Sequence, residues 1–435
     1  MSDSKSSLPF RFLFLFLLLM LPAVAVPQGR SSKPAPPLRL NGSTTIGEKL
    51  APALVESWSG PGRWSYTGKI NESTFRPKNP GSKPVEVTLS AQGSNEGAEA
   101  LKAGKADIWM SSRPVSDEEL AFFHKKHGDS HFEHVIALDG IAIILHKGNR
   151  IKSLSRQQIA EIFSGEIKDW SAVGGSPGPI KVYSRDEKSG TYDTFKALIL
   201  KPFGKKLTPS ATPFNSSSDL SYSVSKERAA IGFIGLPYVL KAAPVTINEC
   251  GISYSPNSFT VKTEEYPLAR RLFLYTPKHS PSIDSLVRFA LSDKAQKIAT
   301  EKEFIDLTID RDPKNSSISR PNLSNSKRLS VTFRFATAHA DLDSRAQRDL
   351  DRLALFMKSS SNQKHSLALL GFADNHGSDS YNKKLSLERA QAVAKRLKSL
   401  GVKISVVRGY GKAWPVACND PIGSQKNRRV EVWIQ

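Results

Sequence analysis

Cysteine is almost missing from this chain of 435 residues, which contains only Cys250 and Cys418. The two lie in segments that the sequence pattern assigns to different domains, which excludes a disulfide framework within one domain. A compartment outside the cytosol would permit a bond between them, but nothing in the sequence calls for locking two domains together. We therefore expect two separate thiols.

Several motifs of enzyme active sites are also missing, since the chain has no His-Glu-x-x-His helix, no Walker loop and no dinucleotide fingerprint. Its densest group of histidines, His124, His127, His131 and His134, has no carboxylate or cysteine that would complete a tight set of metal ligands. We expect no catalytic residues, no bound metal and no cofactor, and we interpret the chain as a binding protein. A phosphatase is the enzyme alternative.

Acidic residues are few relative to basic ones, with 41 Asp and Glu against 62 Lys and Arg, and the formal net charge is +21. This charge favours anionic partners, which include nucleic acid, cell-wall polymer and small anions. Nucleic acid is not expected, because the chain has no basic strand interleaved with aromatic residues and no zinc-ligand spacing.

The one long apolar run near the N-terminus, residues 12–21, follows Lys5 and Arg11 and precedes small residues at 22–25. This order is typical of a signal peptide, with cleavage expected after Ala25, and it predicts export to the periplasm. The run is shorter than the roughly 20 residues that span a bilayer. An uncleaved anchor is the alternative.

Composition divides the chain after the signal peptide (1–25) into a Pro- and Ser-rich lead (26–37), a large domain (38–312), a polar linker (313–327) and a small domain (328–435). Alternating strand and helix patterns predict that the large domain is α/β with mainly parallel sheets and two lobes. The predicted strands are 38–40, 85–89, 135–145 and 180–182, and the predicted helices are 48–58, 96–102, 156–163 and 192–200.

Three turns of the large domain, at 42–47, 93–97 and 188–191, are rich in Gly, Ser and Thr, and each opens a predicted helix. Helix N-termini carry unsatisfied N–H groups and a partial positive charge, so three of them could surround a tetrahedral oxyanion. Arg185 would add a fixed cation. The alternatives are that the hydroxyls only cap helices and that Arg185 pairs with Asp186 or Glu187.

Seven segments of this domain carry a more specific signal: GSTTI at 42–46, MSSRP at 110–114, ALDGIA at 137–142, IFSGEIKDW at 162–170, SRDEKSGT at 184–191, AIGFIGLP at 230–237 and YPLAR at 266–270. With them the domain resembles the periplasmic phosphate-binding proteins of phosphate ABC transporters. The resemblance implies a two-lobed periplasmic-binding-protein type II fold that closes over phosphate, with an ABC permease as a partner. It assigns phosphate contacts to Ser43, Thr44, Thr45, Ser94, Ser112, Arg185, Ser189, Gly190 and Thr191.

One departure concerns the choice of anion. Many members of that family have an aspartate that accepts the proton of phosphate and repels sulfate, whereas this chain has Ser112 there. A hydroxyl accepts a hydrogen bond but does not repel an anion. Phosphate is therefore not distinguished from sulfate or another oxyanion unless Asp139, Asp186 or Glu187 supplies the acceptor. We interpret the neighbouring Arg113 as structural.

In the small domain, an apolar run at 367–370 ends at Gly371, turn-forming residues follow at 374–380, and a helix capped by Ser386 is expected to continue to Leu400. Asp374 and Arg389 could then face one zwitterion, with the carboxylate on its ammonium and the guanidinium on its carboxylate. The alternative is that these two residues pair with each other or with solvent.

The small domain also contains AD at 373–374, Gly377, YN at 381–382, LS at 385–386, RA at 389–390, GYG at 409–411, Pro415 and NRRVE at 427–431. These residues resemble the peptidoglycan-binding domain of the outer membrane protein A family. The resemblance implies a small α+β fold of the βαβαββ type. It also implies that Asp374 and Arg389 bind the diaminopimelate of the wall peptide, with help from Asn382 and Arg428. Phe335 and Ala336 stand where relatives often have an acidic residue after the first strand.

Together these patterns predict an exported protein that binds inorganic phosphate or a similar oxyanion and is held non-covalently on peptidoglycan. Its expected place is the periplasm, associated with the cell wall or outer membrane, and its expected role is phosphate capture, uptake or sensing. The alternative function is a wall-tethered structural or adhesion protein whose phosphate-type lobes serve as an interaction surface.

Overall fold

The computed structural model describes residues 36–68, 71–78, 86–128, 133–312, 323, 326–335 and 344–435, and residues 36–435 form one compact unit. The expected signal peptide, most of the lead and most of the linker lie outside the described residues. No helix in the described part of the chain combines the length and the apolar character that a bilayer span requires.

Strands and helices alternate through the large domain. Its strands are β1 (Leu38–Gly42), β2 (Gly62–Tyr66), β3 (Glu72–Pro77), β4 (Val87–Ser90), β5 (Ile108–Ser111), β6 (Glu133–Leu145), β7 (Ser153–Leu154), β8 (Lys181–Arg185), β9 (Thr212–Phe214), β10 (Ala230–Gly235), β11 (Ala243–Pro244), β12 (Thr246–Glu249), β13 (Ile252–Tyr254) and β14 (Ala269–Tyr275). Its helices are α1 (Thr44–Ser59), α2 (Ser94–Lys102), α3 (Asp117–His127), α4 (Arg156–Ser164), α5 (Gly190–Phe195), α6 (Ser217–Lys226), α7 (Ser258–Lys262), α8 (Pro281–Ala290) and α9 (Asp293–Glu301). All eight elements predicted from the sequence are present.

The main sheet of this domain is mixed, so the prediction of mainly parallel sheets is wrong. Its strand order is β2-β3-β4-β1-β5-β14-β6-β10-β8-β9, with β11 beside β6. The β1–β4, β1–β5, β10–β8 and β8–β9 pairs are parallel as expected. The long strands β6 and β14 run antiparallel to each other and to their outer neighbours β10 and β5. The sequence did not predict this antiparallel pairing, because both strands are largely buried and show no alternation of apolar and polar residues.

Strands β6 and β14 join two lobes. The first lobe contains β1–β5 with α1–α3, α8 and α9, and the second contains β8–β10 with α4–α6. One apolar core lies on each face of the shared sheet, and each core contains residues of both lobes. The two-lobed α/β architecture expected from the sequence is confirmed, and the cleft between the lobes lies beside the crossing strands.

The small domain has the order β15 (Lys327–Arg334), α10 (Ser344–Lys358), β16 (Leu367–Phe372), α11 (Asp379–Ser399), β17 (Ile404–Gly409), α12 (Pro421–Asn427) and β18 (Arg429–Ile434). Its sheet has the strand order β15-β18-β16-β17, in which β16 and β17 are parallel and the other pairs are antiparallel. The expected βαβαββ arrangement is confirmed, with the short helix α12 added before the last strand.

Helix α11 begins eight residues earlier than the sequence suggested, which corrects the assignment of Ser386 as its cap. Ser378 caps the helix by accepting a hydrogen bond from the N–H of Tyr381 at 3.2 Å. Ser386 is fully buried within the helix, where its hydroxyl accepts a bond from the N–H of Gly411 at 2.9 Å. Apolar periodicity misplaced the start because the first two turns of the helix are mostly polar.

The prediction of two separate thiols is also wrong, because Cys250 and Cys418 form a disulfide bond between the two domains, with their Cα atoms 5.7 Å apart. Cys250 lies in the turn between β12 and β13, and Cys418 precedes α12. Tyr254 of β13 donates a hydrogen bond to the carbonyl of Val416 at 2.9 Å, so the two segments pack together. Strand β12 packs on α4 of the second lobe, so the disulfide bond attaches the small domain covalently to that lobe.

Candidate functional site

The first Ser/Thr-rich turn lies at the start of α1, between the two lobes. Ser43 is the N-cap, and its hydroxyl accepts a hydrogen bond from the N–H of Ile46 at 3.4 Å. Thr44 and Thr45 follow it, and both are buried. Tyr238 of the second lobe donates to the carbonyl of Thr45 at 2.9 Å. The start of α1 is therefore held against the opposite lobe.

The second and third turns meet each other across the cleft. Gly190 faces the hydroxyls of Ser94 and Ser112, and a Cβ at this glycine would lie 2.3 and 2.5 Å from their Oγ atoms. Gly93 has φ of 131°, and a Cβ there would lie 2.2 Å from the carbonyl oxygen of Lys188. Glycine is required at both positions, because a side chain would push the lobes apart.

Hydroxyl groups from the two lobes cluster at this contact. Oγ1 of Thr45 lies 3.2 Å from Oγ1 of Thr191, and Oγ of Ser94 lies 3.3 Å from Oγ of Ser112. The N–H of Ser112 donates to Oγ of Ser94 at 3.1 Å. The hydroxyl of Ser189 caps α5 by accepting from the N–H of Thr191. The three predicted turns therefore come together in one buried cluster.

Arg185 is buried at the edge of the cluster, where it spans the cleft. Its guanidinium donates to Thr44 of the first lobe at 3.0 Å and to Ser217 of the second lobe at 2.7 Å. The carboxylate of Asp186 is 3.9 Å away, a contact too long for a hydrogen bond. Burial lowers the pKa of Arg185, although the charges of Asp186 and Glu48 oppose this effect.

A second guanidinium, which we did not assign to the site from the sequence, reaches the same cluster. Arg270 donates to Oγ1 of Thr191 at 2.8 Å and lies 3.4 Å from Oγ1 of Thr45. It is only 5% exposed and forms an ion pair with Asp139 at 2.6 Å. Both residues lie in segments that were recognised as family signatures, but local spacing does not show that the crossing strands direct them into the cleft.

Three carboxylates could replace the family aspartate as the acceptor of the phosphate proton, and none of them lies free in the cluster. Oδ1 of Asp139 accepts from the N–H groups of Gly140 and Leu236, and Oδ2 accepts two bonds from Arg270. Asp186 accepts from the N–H of Lys188, and Glu187 is exposed. The cluster is therefore rich in donors and hydroxyls, a composition that suits an oxyanion.

Arg113, interpreted from the sequence as structural, lies beside the cluster rather than in it. Its guanidinium forms two hydrogen bonds to Glu119, at 2.7 and 2.8 Å, and one to Asn95 at 2.7 Å. It also lies 3.5 Å from Asp193 of the second lobe. The side chain therefore braces the edge of the first lobe where that lobe meets the second.

The residues predicted to bind the wall peptide also lie close together. The alternative raised from the sequence was that Asp374 pairs with Arg389 or with solvent, and the structure shows a different partner. Oδ2 of Asp374 accepts a hydrogen bond of 2.6 Å from Arg428 rather than from Arg389. Burial acts to raise the pKa of Asp374, but the bonds from Arg428 and from the N–H of His376 outweigh it and hold the pKa below its ordinary value. Asn382 is buried and donates to the carbonyl of His376 at 2.6 Å.

Arg389 is fully buried on α11, and its guanidinium lies 5.3 Å from the ring centroid of Phe335. Burial lowers the pKa of Arg389, and the nearby charge of Arg428 acts in the same direction. Two arginines and one aspartate therefore give this site a net positive charge, which would suit a ligand with a carboxylate and an ammonium group. Ala336 lies outside the described residues.

The described residues contain no cluster with the composition of a metal site. Among them there is no group of three or more His, Cys, Asp or Glu side chains that could hold a metal ion. His134 contacts the hydroxyl of Thr276 at 2.9 Å, and His131 lies outside the described residues. The string GGSPG at 174–178 has the spacing of a serine nucleophile elbow, but Ser176 is exposed in an open turn rather than between a strand and a helix.

Comparison with known proteins gives matches over both domains. A family model described as a PBP superfamily domain matches residues 53–294, and an OmpA family model matches residues 334–429. Protein SphX of Synechococcus elongatus is 31% identical over 241 residues, which cover 52% of this chain and 70% of that protein. Phosphate-binding protein PstS of Staphylococcus saprophyticus is 31% identical over 252 residues, which cover 55% of this chain and 76% of that protein.

A solved structure extends the comparison to the fold. The structure of a putative phosphate ABC transporter substrate-binding protein from Clostridium perfringens, with bound phosphate, has a TM-score of 0.50 and 27% identity. The match covers 62% of this chain and 99% of that chain. The chain therefore belongs to the PBP superfamily, in the family of the phosphate-binding proteins, and it carries an OmpA-family domain after the two-lobed domain.

Proposed function

We propose that the protein is an exported phosphate-binding protein that is held on peptidoglycan by its OmpA-family domain. The observation that carries the proposal is the buried cluster between the lobes, where Arg185 and Arg270 meet the hydroxyls of Thr44, Thr45 and Thr191. The cation of Arg185, the N–H donors of Arg270, whose charge is paired with Asp139, and several hydroxyls suit the charge and the tetrahedral shape of a phosphate anion.

Phosphate would bind as the lobes close. Arg185, Ser189, Gly190 and Thr191 belong to the second lobe, whereas the α1 turn and Ser94 belong to the first. An anion between them contacts both lobes at once and favours the closed arrangement over an open one, as in hinge closure. Ser43 and Ser189 cap helices through their hydroxyls, so they would contribute mainly backbone N–H groups.

Isothermal titration of the purified full chain with inorganic phosphate tests this function. We expect saturable binding with one cleft site per chain, and Arg185→Met should remove it because the fixed cation is lost. Absence of heat at millimolar phosphate, with a folded protein, would refute the proposal. A chromogenic phosphate ester in the same preparation tests the phosphatase alternative, and we expect no hydrolysis.

Attachment to the wall is the second half of the proposed function. Asp374, Asn382, Arg389 and Arg428 would hold a zwitterionic centre of the wall peptide, the diaminopimelate implied by the OmpA-family match. Export is supported by the N-terminal signal pattern and by the disulfide bond, which is typical of oxidising compartments. A wall-bound carrier would concentrate or sense phosphate in the periplasm or deliver it to a permease.

The alternative is a wall-tethered structural protein whose lobes have lost their ligand. Ser112 in place of the family aspartate favours it. The intact cluster around Arg185 argues against it, because a buried guanidinium whose contact to Asp186 is as long as 3.9 Å is costly to keep without a ligand. Phosphate titration separates the two functions, since the alternative requires no binding at the cleft.

A further inference from the structure

A second cavity lies where the two domains meet, outside the phosphate cleft. Its volume is about 780 Å³. Its walls include Arg113 of the first lobe, Asp193 of the second, Arg270 and Arg271 of β14, and Arg334 and Lys426 of the OmpA-family domain. The guanidinium of Arg270 separates this cavity from Thr191 of the cleft, so the two spaces are neighbours.

Buried cations elsewhere at this domain interface are matched by carboxylates. Lys262, which is 2% exposed, contacts Asp306 at 2.8 Å and Asp310 at 2.7 Å. Arg328, which is 1% exposed, bonds to Glu265 at 2.6 Å. This matching is expected, because a buried charge is costly unless it is paired.

Lys426 is half-buried at the same interface and does not follow this pattern. Its ammonium donates to the neutral backbone carbonyl of Tyr266 at 2.7 Å, and no ion pair found among the described residues includes it. Burial lowers the pKa of Lys426 to about 7, and the positive charge of Arg334 acts in the same direction. The charges of Glu264 and Glu265 oppose these effects without restoring the ordinary pKa, so the positive charge of the ammonium is only partly compensated.

The arginine beside it is also incompletely matched. Arg334 donates to the carbonyls of Lys426 and Thr263 and lies 3.3 Å from Glu264. Glu264 is shared with Arg345 at 2.7 Å, so one carboxylate serves more than one guanidinium. Nε of Arg334 is buried and makes no hydrogen bond within the described residues, although Oε2 of Glu264 lies 3.3 Å from it. The cavity is lined by three carboxylates, Glu133, Asp193 and Glu264, and by five cationic side chains, so its lining carries a formal excess of positive charge.

We propose that this interdomain cavity is a second anion site, in which a small inorganic oxyanion binds between Arg334 and Lys426. A dianion there replaces the missing counter-ion of Lys426 and contacts groups from both domains. The proposal does not depend on which ligand the cleft binds. Among the residues named here as lining the cavity, Arg270 alone also belongs to the phosphate cluster, and its charge is already paired with Asp139.

Equilibrium dialysis of the full chain against radiolabelled phosphate at pH 6.5 tests the proposal. We expect two sites per chain in the wild type. Lys426→Met should lose the cavity site and keep the cleft site, whereas Arg185→Met should do the reverse. Lys398→Met is the matched control, because Lys398 is exposed on α11 away from the cavity, and it should keep both sites.

A pH series with sulfate, whose charge is constant between pH 5 and 9, adds a readout that altered packing would not produce. Affinity at the cavity should fall about tenfold between pH 6 and pH 8 in the Arg185→Met background, because Lys426 loses its proton over that interval. Lys426→Arg should keep the site and abolish this pH dependence, since arginine stays charged.

The binding results of the wild type and the two methionine variants distinguish the cavity site from the cleft site. A single wild-type site that Lys426→Met leaves unchanged overturns the cavity site. One site that survives Arg185→Met but is lost in Lys426→Met supports the cavity site and refutes the proposed cleft. Absence of phosphate and sulfate binding in every folded variant overturns both.

Discussion

Asp374 bonds to Arg428, 54 residues away in the sequence, while Arg389 lies buried beside them without taking that carboxylate. The acid and the helix arginine are therefore not paired with each other, which was the alternative that spacing alone left open. An ammonium group at Asp374 and a carboxylate beside the two arginines would each meet a side chain of opposite charge. This arrangement leads to the first prediction.

Asp374→Asn and Arg389→Met should each weaken co-sedimentation with purified peptidoglycan by about 10- to 100-fold, because each removes one charge-assisted interaction of about 1.5–3 kcal/mol. Asp379→Asn is the control, since this carboxylate on the same helix is 91% exposed. Unchanged pelleting of both variants would refute the wall-binding role of these residues.

The hydroxyl of Thr191 is the point where both lobes and Arg270 meet, so it gives the second prediction. Thr191→Val keeps the shape of the side chain but removes contacts to Thr45 and Arg270. Phosphate affinity measured by calorimetry should fall about tenfold, the effect of losing one charge-assisted hydrogen bond. Thr246→Val, on a small sheet away from the cleft, should bind like the wild type. Equal affinities in the two variants would argue against this hydroxyl as a contact.

The third prediction concerns sulfate. Ser112 supplies a hydroxyl where a carboxylate would reject an anion that carries no proton, and Asp139 is fully occupied by donors. Sulfate should therefore displace radiolabelled phosphate from the wild-type cleft. Ser112→Asp should abolish sulfate competition and retain phosphate, whose proton the new carboxylate can accept. If a 100-fold excess of sulfate leaves phosphate bound to the wild type, another acceptor provides selectivity.

Much of this site could be predicted from local sequence, and the remainder could not, for a physical reason. Turns rich in Gly, Ser and Thr indicate helix N-termini without further information, because capping depends on a few adjacent residues. Arg270 and Asp139 gain their positions only when β6 and β14 pair antiparallel across the lobes. That pairing depends on the whole sheet, which no local pattern encodes.

The small domain likewise has features that local sequence predicts and features that it does not. Its strand β16 and the loop that carries Asp374 follow from an apolar run and a cluster of turn formers. The partner of Asp374 is Arg428, which approaches through the β18 pairing and was only assigned as a helper. Likewise, the contact between Cys250 and Cys418 spans 168 residues and two domains, so sequence spacing carried no information about it.

Glu48 provides the fourth prediction, which concerns stability and pH. Its Oε1 is buried without a hydrogen-bond partner in the described part of the chain. Burial raises the pKa of Glu48 from 4.5 to about 7, although the charge of Arg185 opposes this. Because the folded-state pKa is raised, the stability contributed by protonation is fully present below pH 4.5 and is lost as the pH rises through about 7.

Glu48→Gln should therefore be more stable than the wild type at pH 8, by about 1–3 kcal/mol, and nearly equal at pH 4. Urea unfolding of the phosphate-free protein at both pH values measures the difference. Glu118→Gln is the control, since Glu118 is exposed on α3. A variant with the same stability difference at both pH values would show that Glu48 does not titrate in this range.

The disulfide bond gives the last prediction. Denatured protein kept free of reductant should show no reactive thiol, whereas Cys250→Ser should show one, that of Cys418.

Loss of the bond frees a loop of 168 residues in the unfolded chain and should lower the free energy of unfolding by about 2–5 kcal/mol. Urea unfolding with and without dithiothreitol measures this, and the Cys250→Ser variant should not respond to the reductant. Two reactive thiols in the untreated wild type would contradict the bond. Because Cys250 belongs to the second lobe, a stable bond would also make the OmpA-family domain move with that lobe when the cleft closes.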